Sequence, residues 1–266
     1  MSIFICPVCS AKLVVSGKSY VCPKNHSFDI AKSGYVNLLN AKHGAVHGDN
    51  KFMLRARRDF LEKGYYSPLC DAVCRTVLEY VKDDSILLDA GCGEGYYTSA
   101  VKTKTSIEIY GIDISKDAVE MAAKRKSGIN FAVASVFHIP VQSESCDVLL
   151  TMFAPYCKEE YLRVLKKNGY MIMAIPSENH LWELKKAVYD TPYKNEVKPY
   201  ELDGFSHIKT EHINFTMKIN NKIDIQSLFS MTPYYYRTGK SEQERLNNLE
   251  YLETQADFEI LTYRKI

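Results

Sequence analysis

The sequence predicts an α/β fold, a doubly wound and mostly parallel sheet with a small N-terminal zinc-binding domain. Three observations predict it. Five apolar runs that read as strands, 87–90, 108–113, 130–134, 146–152 and 170–175, are separated by helical segments, the order that builds a parallel sheet covered on both faces. The first run breaks at Asp89-Ala90 into Gly91, Gly93 and Gly95, a strand–loop–helix junction whose glycines let backbone approach a ligand. Ahead of all this, the first 35 residues hold four potential metal ligands in two close pairs.

Those pairs are Cys6-Pro7-Val8-Cys9 and Cys22-Pro23-Lys24-Asn25-His26, with twelve residues between them and three between Cys22 and His26. Each can sit on one tight turn and aim two donors inward. Three thiolates and one imidazole make a closed tetrahedral zinc site with no position left for catalysis. Short strands around Leu13 to Val15 and Ser19 to Val21, joined through Gly17, would form the hairpin that brings the turns together. A module this small has little core, so the metal would supply much of its folding free energy.

Residues 28 to 39 look ordered, and 41 to 50 read as a loop in which His43 and His47, lacking a nearby acid or thiol, are solvated rather than metal ligands. From Lys51, the spacing of Phe52, Met53, Phe60 and Leu61 predicts an amphipathic helix ended by Gly64. Ser67-Pro68 would cap and begin a second helix leading to the first strand. We divide the chain into 1–40 (zinc module), 41–82 (linker loop and helices) and 83–266 (the α/β domain).

Beyond the glycine turn, the strand Glu108 to Asp113 ends in a carboxylate about 20 residues downstream, where doubly wound nucleotide folds bind a ribose. Ser115 supplies the N-cap of the helix Lys116 to Lys126, which frees Asp113 for that role. After the fourth strand we expect a helix from Glu159 to Lys167, a turn at Asn168-Gly169 and the fifth strand. The tail reads as a helix near Leu181 to Tyr189, two β-like runs at Ile213 to Ile219 and Phe258 to Tyr263, and an intervening segment centred on Leu228 to Met231.

At 266 residues, 46% hydrophobic and 25% charged, the chain has the composition of a soluble globular protein. No apolar run reaches the roughly 18 residues that span a bilayer, and Met1 to Cys9 lacks the features of a signal peptide. We therefore expect a cytoplasmic protein without a membrane partner, its eight cysteines reduced. The net charge of +2 hides an asymmetry, since residues 1–58 carry nine Lys or Arg against Asp29 and Asp49 and the remainder is acidic. A basic head on a mildly acidic body suits a polyanion. Arg55, Arg57 and Arg58 would extend that basic surface unless Glu62 or Asp59 pairs with them.

The acid-Gly-x-Gly-x-Gly turn from Asp89 to Gly95, unlike the G-x-G-x-x-G of dinucleotide folds, resembles the Rossmann-like class I S-adenosylmethionine (SAM) methyltransferases. By that resemblance the turn packs against the methionine half of SAM, with Asp89 orienting its amino end. With the zinc head in place, the chain is similar nearly end to end to the RlmA-type 23S rRNA (guanine-N1)-methyltransferases. The resemblance rests on Cys-Pro-x-Cys, Cys-Pro-x-x-His, residues 28–39, Ala-Arg-Arg-x-Phe-Leu (56–61), Gly-Cys-Gly-Glu-Gly-Tyr-Tyr-Thr (91–98) and Met-Thr-Pro (231–233).

The resemblance implies zinc on Cys6, Cys9, Cys22 and His26, a SAM pocket lined by Tyr66, Gly93, Glu94 and His180, and methylation of N1 of a guanine in a 23S rRNA hairpin. One branch of the family is linked to macrolide resistance. After the fourth strand, Phe153-Ala154-Pro155-Tyr156 lacks the (Asp/Asn)-Pro-Pro-(aromatic) of exocyclic-amine methylases, which favours a ring nitrogen as acceptor. Phe153, Tyr156 or His180 could stack on a flipped base, and Glu159 and Glu178 are candidates for accepting its proton. No residue is singled out as catalytic, and the oligomeric state is open, a homodimer included. A small-molecule SAM methyltransferase gives no reason for the basic metal-held head, whereas a silent SAM-sensing RNA-binding protein would share every feature except methyl transfer.

Overall fold

The computed structural model describes residues 2–40, 50–197 and 200–266; the loop carrying His43 and His47 lies outside them. In the head, β1 (Val14–Ser16) and β2 (Ser19–Val21) form the expected hairpin, and β3 (Ser27–Asp29) adds a third antiparallel strand. The ordered run after it ends in β4 (Val36–Asn37), which leaves the head and pairs parallel to a strand of the body.

Helix α1 (Lys51–Glu62) is capped by Asn50, whose side chain accepts from the Met53 N–H, and it buries Met53, Leu54, Ala56, Phe60 and Leu61. Helix α2 (Ser67–Tyr80) begins one residue earlier than the serine cap predicts. Tyr66 occupies the N-cap without a side-chain bond, because the Ser67 N–H already donates to the Gly64 carbonyl at 3.0 Å and draws Ser67 into the first turn.

The alternation then runs β5 (Ile86–Ala90), α3 (Tyr96–Lys104), β6 (Glu108–Asp113), α4 (Lys116–Lys124), β7 (Asn130–Val133), β8 (Cys146–Met152), α5 (Lys158–Val164), β9 (Leu165–Pro176) and α6 (Trp182–Val188). A long antiparallel hairpin of β10 (Phe205–Ile219) and β11 (Leu252–Lys265) closes the chain, with α7 (Lys222–Ser230), a 3-10 turn over Pro233–Arg237 and α8 (Lys240–Asn247) between its arms. The sheet order is β10-β11-β9-β8-β5-β6-β7-β4. β5 to β9 run parallel, and β11 is antiparallel to its neighbours.

The expected helix to Lys167 stops at Val164, and the expected Asn168-Gly169 turn lies inside β9. Leu165 already pairs with Cys146, and a register shift before Val148 absorbs Asn168, held at φ +64°. Between Cys146 and Val148 β8 advances two residues while β9 advances five, so three extra residues bulge out without ending the strand.

Apolar side chains fill both faces of the sheet. One face is covered by α2, α3, α4, α6 and α7. The other receives α5 and the head, whose Phe4, Leu13, Tyr20, Val36 and Leu38 pack with Leu88, Ala90, Tyr110 and Ile112. Tyr110 joins the two, its ring edge-on to Phe4 at 5.0 Å and its hydroxyl accepting the Ile3 N–H at 3.3 Å while donating to Glu108 at 2.6 Å. Among the described residues no helix is long and apolar enough to cross a membrane. Tyr110→Ala should cost about 3–5 kcal/mol through the cavity left between head and sheet. Urea denaturation measures this, and a loss under about 1 kcal/mol would mean that the head contributes little to the folded body.

Candidate zinc centre and cofactor site

The zinc-type residues sit on two facing turns. In the first, the Cys6 N–H donates to Ala11 O and the Ser10 N–H to Cys6 O, both at 2.8 Å; in the second, Cys22 N–H reaches His26 O at 3.0 Å and Asn25 N–H reaches Cys22 O at 2.9 Å. Ser10 and Asn25 take left-handed backbone at φ +59° and +63°, which lets each chain reverse around its donors. One donor atom from each of Cys6, Cys9, Cys22 and His26 lies within 4.8 Å of all the others. The Cys6 and Cys22 sulfurs are each 3.4 Å from His26 Nδ1, and Cys9 and Cys22 sulfurs are 3.7 Å apart. A tetrahedral zinc with bonds of about 2.3 Å to sulfur and about 2.05 Å to nitrogen has edges of roughly 3.8 and 3.5 Å, so the donor set fits the ion.

The glycine turn is tied down by backbone. Gly91 and Cys92 N–H groups both donate to Ile112 O at 2.8 and 2.9 Å, holding the loop against β6. Gly91, at φ +90°, lies so close to the segment after β8 that an added Cβ would meet the Ala154 methyl at 2.4 Å. Gly95 is the left-handed cap of α3, and its Cβ would stand 2.9 Å from that of Ala122 on α4. Neither position tolerates a side chain.

Asp89 is buried beneath this loop. One of its oxygens accepts from Thr98 Oγ1 at 2.5 Å; the other, Oδ1, is buried without a hydrogen-bond partner. Burial pushes its carboxyl up to about 7, with the nearby Asp113 adding to the rise and the Thr98 bond opposing it. An ammonium group at Oδ1 would satisfy the orphaned oxygen and restore its charge, which fits the amino end of SAM. Asp113 is half-buried, with Oδ2 accepting the Gly93 N–H at 3.0 Å and Oδ1 the Ser115 N–H at 2.8 Å. A carboxylate at this strand end is where a doubly wound nucleotide fold holds a ribose. Ser115 caps α4 as expected, accepting from Ala118 N–H.

The fold joins Tyr66 and His180, 114 positions apart, with Tyr66 Oη 3.5 Å from His180 Nε2. His180 Nδ1 accepts the Asp257 N–H at 3.2 Å, so the neutral ring carries its proton on Nε2. Burial, aided by the Lys185 charge, holds this imidazole down to about 3. Phe258 packs against both rings, at 4.3 Å from His180 and 5.1 Å from Tyr66.

Phe153 stands 5.6 Å from Phe258 and 6.5 Å from Tyr97. It is half-exposed and held at φ +58°, a strained conformation for an aromatic residue that is found at functional sites. Tyr156 instead packs edge-on against Tyr161. Glu159 is exposed, and Glu178 pairs with Lys194 at 3.2 Å.

Three charged residues take partners or directions that a count of charges does not give. Glu94 stays in the loop through its backbone, but its buried carboxylate meets the Arg125 guanidinium, which also reaches Glu62. Of the three arginines expected on one basic face, Arg58 closes on Asp59 at 2.7 Å and Arg57 turns inward to the glycine loop, because α1 lies against α7 and only Arg55 remains fully exposed. Neighbouring charges on a helix do not share a face, a spacing that could have separated Arg57 from Arg58 beforehand.

Family profiles match both parts of the chain: one described as "RlmA, N-terminal" covers residues 4–45 and one described as "Methyltransferase domain" covers 81–244. A Bacillus subtilis protein provisionally named a 23S rRNA (guanine-N1)-methyltransferase is 30% identical over 98% of this chain and 96% of its own length. The chain belongs to the RlmA-type 23S rRNA (guanine-N1)-methyltransferase family. A Streptomyces fradiae relative named 23S rRNA (guanine(748)-N1)-methyltransferase is 32% identical over 69% of this chain and 66% of its own. In fold, a Bacillus halodurans structure provisionally titled a methyltransferase superposes with a TM-score of 0.51 at 14% identity, covering 73% of this chain and 98% of that one. This member of the family is a SAM-dependent enzyme with a structural zinc.

Purified protein should hold one zinc per chain, and Cys22→Ala should lose it; unchanged metal content by emission spectroscopy would refute the ligand set. SAM binding should expel a proton near pH 7, since an ammonium beside Asp89 lowers the raised carboxyl that burial sets at about 7. Below that pH, affinity should fall by up to about tenfold per unit. Calorimetry in two buffers of different ionisation heat reads the proton, and identical heats would exclude Asp89 as the ammonium partner. Asp113→Ala should weaken SAM binding by about 1–3 kcal/mol; wild-type affinity would place the ribose elsewhere.

Proposed function

We propose that this chain transfers a methyl group from SAM to N1 of a guanine in a hairpin of 23S rRNA. The observation that carries the reading is the relative matched over nearly the whole of both chains, zinc head included. In this assignment residues 1–40 recognise RNA, 41–82 connect, and 83–266 carry the chemistry in the cytoplasm. When bound, SAM supplies an electrophilic methyl on a sulfonium. Asp89 would hold its ammonium, Asp113 its ribose, and the backbone of Gly91, Gly93, Glu94 and Gly95 would pass close to its methionine half. Tyr66 and His180 would wall the pocket as a neutral, hydrogen-bonded pair, so neither adds charge beside the sulfonium.

At the acceptor side, Phe153 offers an exposed face for a base lifted out of its stack. As the N–CH3 bond forms and the S–CH3 bond breaks, N1 loses its proton; alignment of N1 with the methyl supplies most of the acceleration. The head offers Lys18, Lys24 and Lys32, all exposed, and Arg55 continues the basic surface on α1. A cleft of about 490 Å3 lies between Pro7, Ser10 and Asn40 on one side and His138, Gln142 and Arg163 on the other, with room for a nucleotide strand between head and body.

Labelled SAM and ribosomal RNA test the reading: incorporation at a guanine N1, located by mass mapping, is expected, and RNA binding without transfer would leave only a SAM-sensing binder. Replacing Lys18, Lys24, Lys32 and Arg55 by Gln should raise the KM for RNA and flatten its salt dependence by about 0.7 log units per lost single-strand contact, with SAM affinity unchanged. An unchanged salt slope would move the RNA surface off the head. Sedimentation of the pure protein separates the monomer from the homodimer.

A further inference from the structure

Of the eleven phenylalanines, three are exposed: Phe52 at 58%, Phe137 at 48% and Phe153 at 46%. Single exposed apolar side chains are ordinary on a protein surface, so the informative point is where these three lie. All stand at the edge of the sheet where the parallel strands end and where the glycine loop and Asp113 sit. Phe153 directly follows β8. Phe137 comes four residues after β7, in a tight turn closed by the Phe137 N–H on Ser135 Oγ at 3.2 Å and the His138 N–H on Ser135 O at 3.1 Å. Ser135 and His138 line the cleft between head and body. Phe52 is in the first turn of α1, which Lys51 brings to the same edge by meeting Asp117, in the first turn of α4, at 3.4 Å. The Phe52 ring is braced by Tyr235, at 6.0 Å and a tilt of 39°.

An enzyme reaches a guanine N1 by lifting the base out of its stack, which leaves the neighbouring bases without a stacking partner. An aromatic face laid against each of them offsets that loss. Phenylalanine has no hydrogen-bonding group, so its face accepts any base and reads none. Phe137 and Phe153 follow strands three places apart in the sheet, about 14 Å at about 4.8 Å per strand, a gap that a short single strand crosses. Cations adjoin both outer rings. Exposed Arg55 lies one turn from Phe52 on α1, and the basic head faces the Phe137 turn across the cleft, so the surface suits a polyanion that carries aromatic bases. We propose that Phe52 and Phe137 are stacking platforms for unpaired RNA bases that flank the target guanine, apart from the Phe153 face that receives the guanine itself. The assignment rests on the rRNA reading and adds the surface that holds the substrate loop open.

The 23S rRNA fragment that carries the mapped guanine tests the proposal, with its binding followed at several salt concentrations and SAM affinity measured alongside by calorimetry. Phe52→Ala and Phe137→Ala should each weaken RNA binding by about 5- to 150-fold, the scale of one lost base–aromatic stack. The salt slope should keep its wild-type value, because no phosphate contact is removed, and SAM affinity should not change. Phe52→Trp and Phe137→Trp should hold RNA affinity within about twofold, whereas Phe52→Leu and Phe137→Leu, apolar but without a π-face, should lose about fivefold or more. Full affinity in the leucine variants would reduce the rings to apolar cover and overturn the proposal. Wild-type affinity in either alanine variant would strike that residue, and an equal loss of SAM affinity in Phe137→Ala would assign its ring to the cofactor's adenine instead. A sedimentation coefficient that falls in the variants would make the patch a contact between copies of the chain, which also refutes it. Wild-type protein that neither binds nor methylates the fragment would remove the rRNA reading as well, an outcome distinct from wild-type RNA affinity in the variants.

Discussion

A half-satisfied buried carboxylate is expensive, and the architecture around Asp89 exists to hold one in place. β5 carries it into the sheet, Thr98 satisfies one oxygen, and the loop above is sewn to β6 through Ile112 O and Asp113. The strain is local and its supports are distant. Ala154 after β8, Ala122 on α4 and Phe131 on β7 fill the spaces that Cβ atoms on Gly91, Gly95 and Gly111 would need. Segments from α4, β7 and the stretch after β8 thus converge around a loop beneath which one carboxylate oxygen is buried without a hydrogen-bond partner.

What was legible in the sequence had a local signature. β6 and β8 took their expected bounds because each is an unbroken apolar run with a clear end, and the zinc turns followed from ligand spacing alone. What was not legible depended on partners far along the chain. Asn168-Gly169 has the chemistry of a turn, yet pairing with β8 overrides it through a register shift. β4 is two residues long and acquires meaning only beside Ala132 and Val133. The Tyr66–His180 contact spans 114 positions and has no periodicity to betray it; the family resemblance named both residues without saying that they touch.

Electrostatics followed the same division. The sequence showed a basic head, but the count of charges says nothing of direction, and α1 sends Arg55, Arg57 and Arg58 to three different environments. One faces solvent, one faces the cofactor loop and one is neutralised by its neighbour Asp59. Charge near a site matters through where it points, so a helix packed against α7 presents only part of its basic residues to solvent.

β4 also bears on how the chain is made. The outer edge of β7 would otherwise be an open strand, a template for unwanted pairing. The segment that covers it comes from the head, more than ninety residues earlier in the sequence. At translation rates of roughly 5 to 20 residues per second, those residues wait roughly 5 to 20 s for β7 to be synthesised. During that interval the zinc turns, whose ligands are all within the first 26 residues, can close on metal independently of the body. The head then reaches the newly made sheet as a preformed cap, and the order of synthesis itself protects the edge.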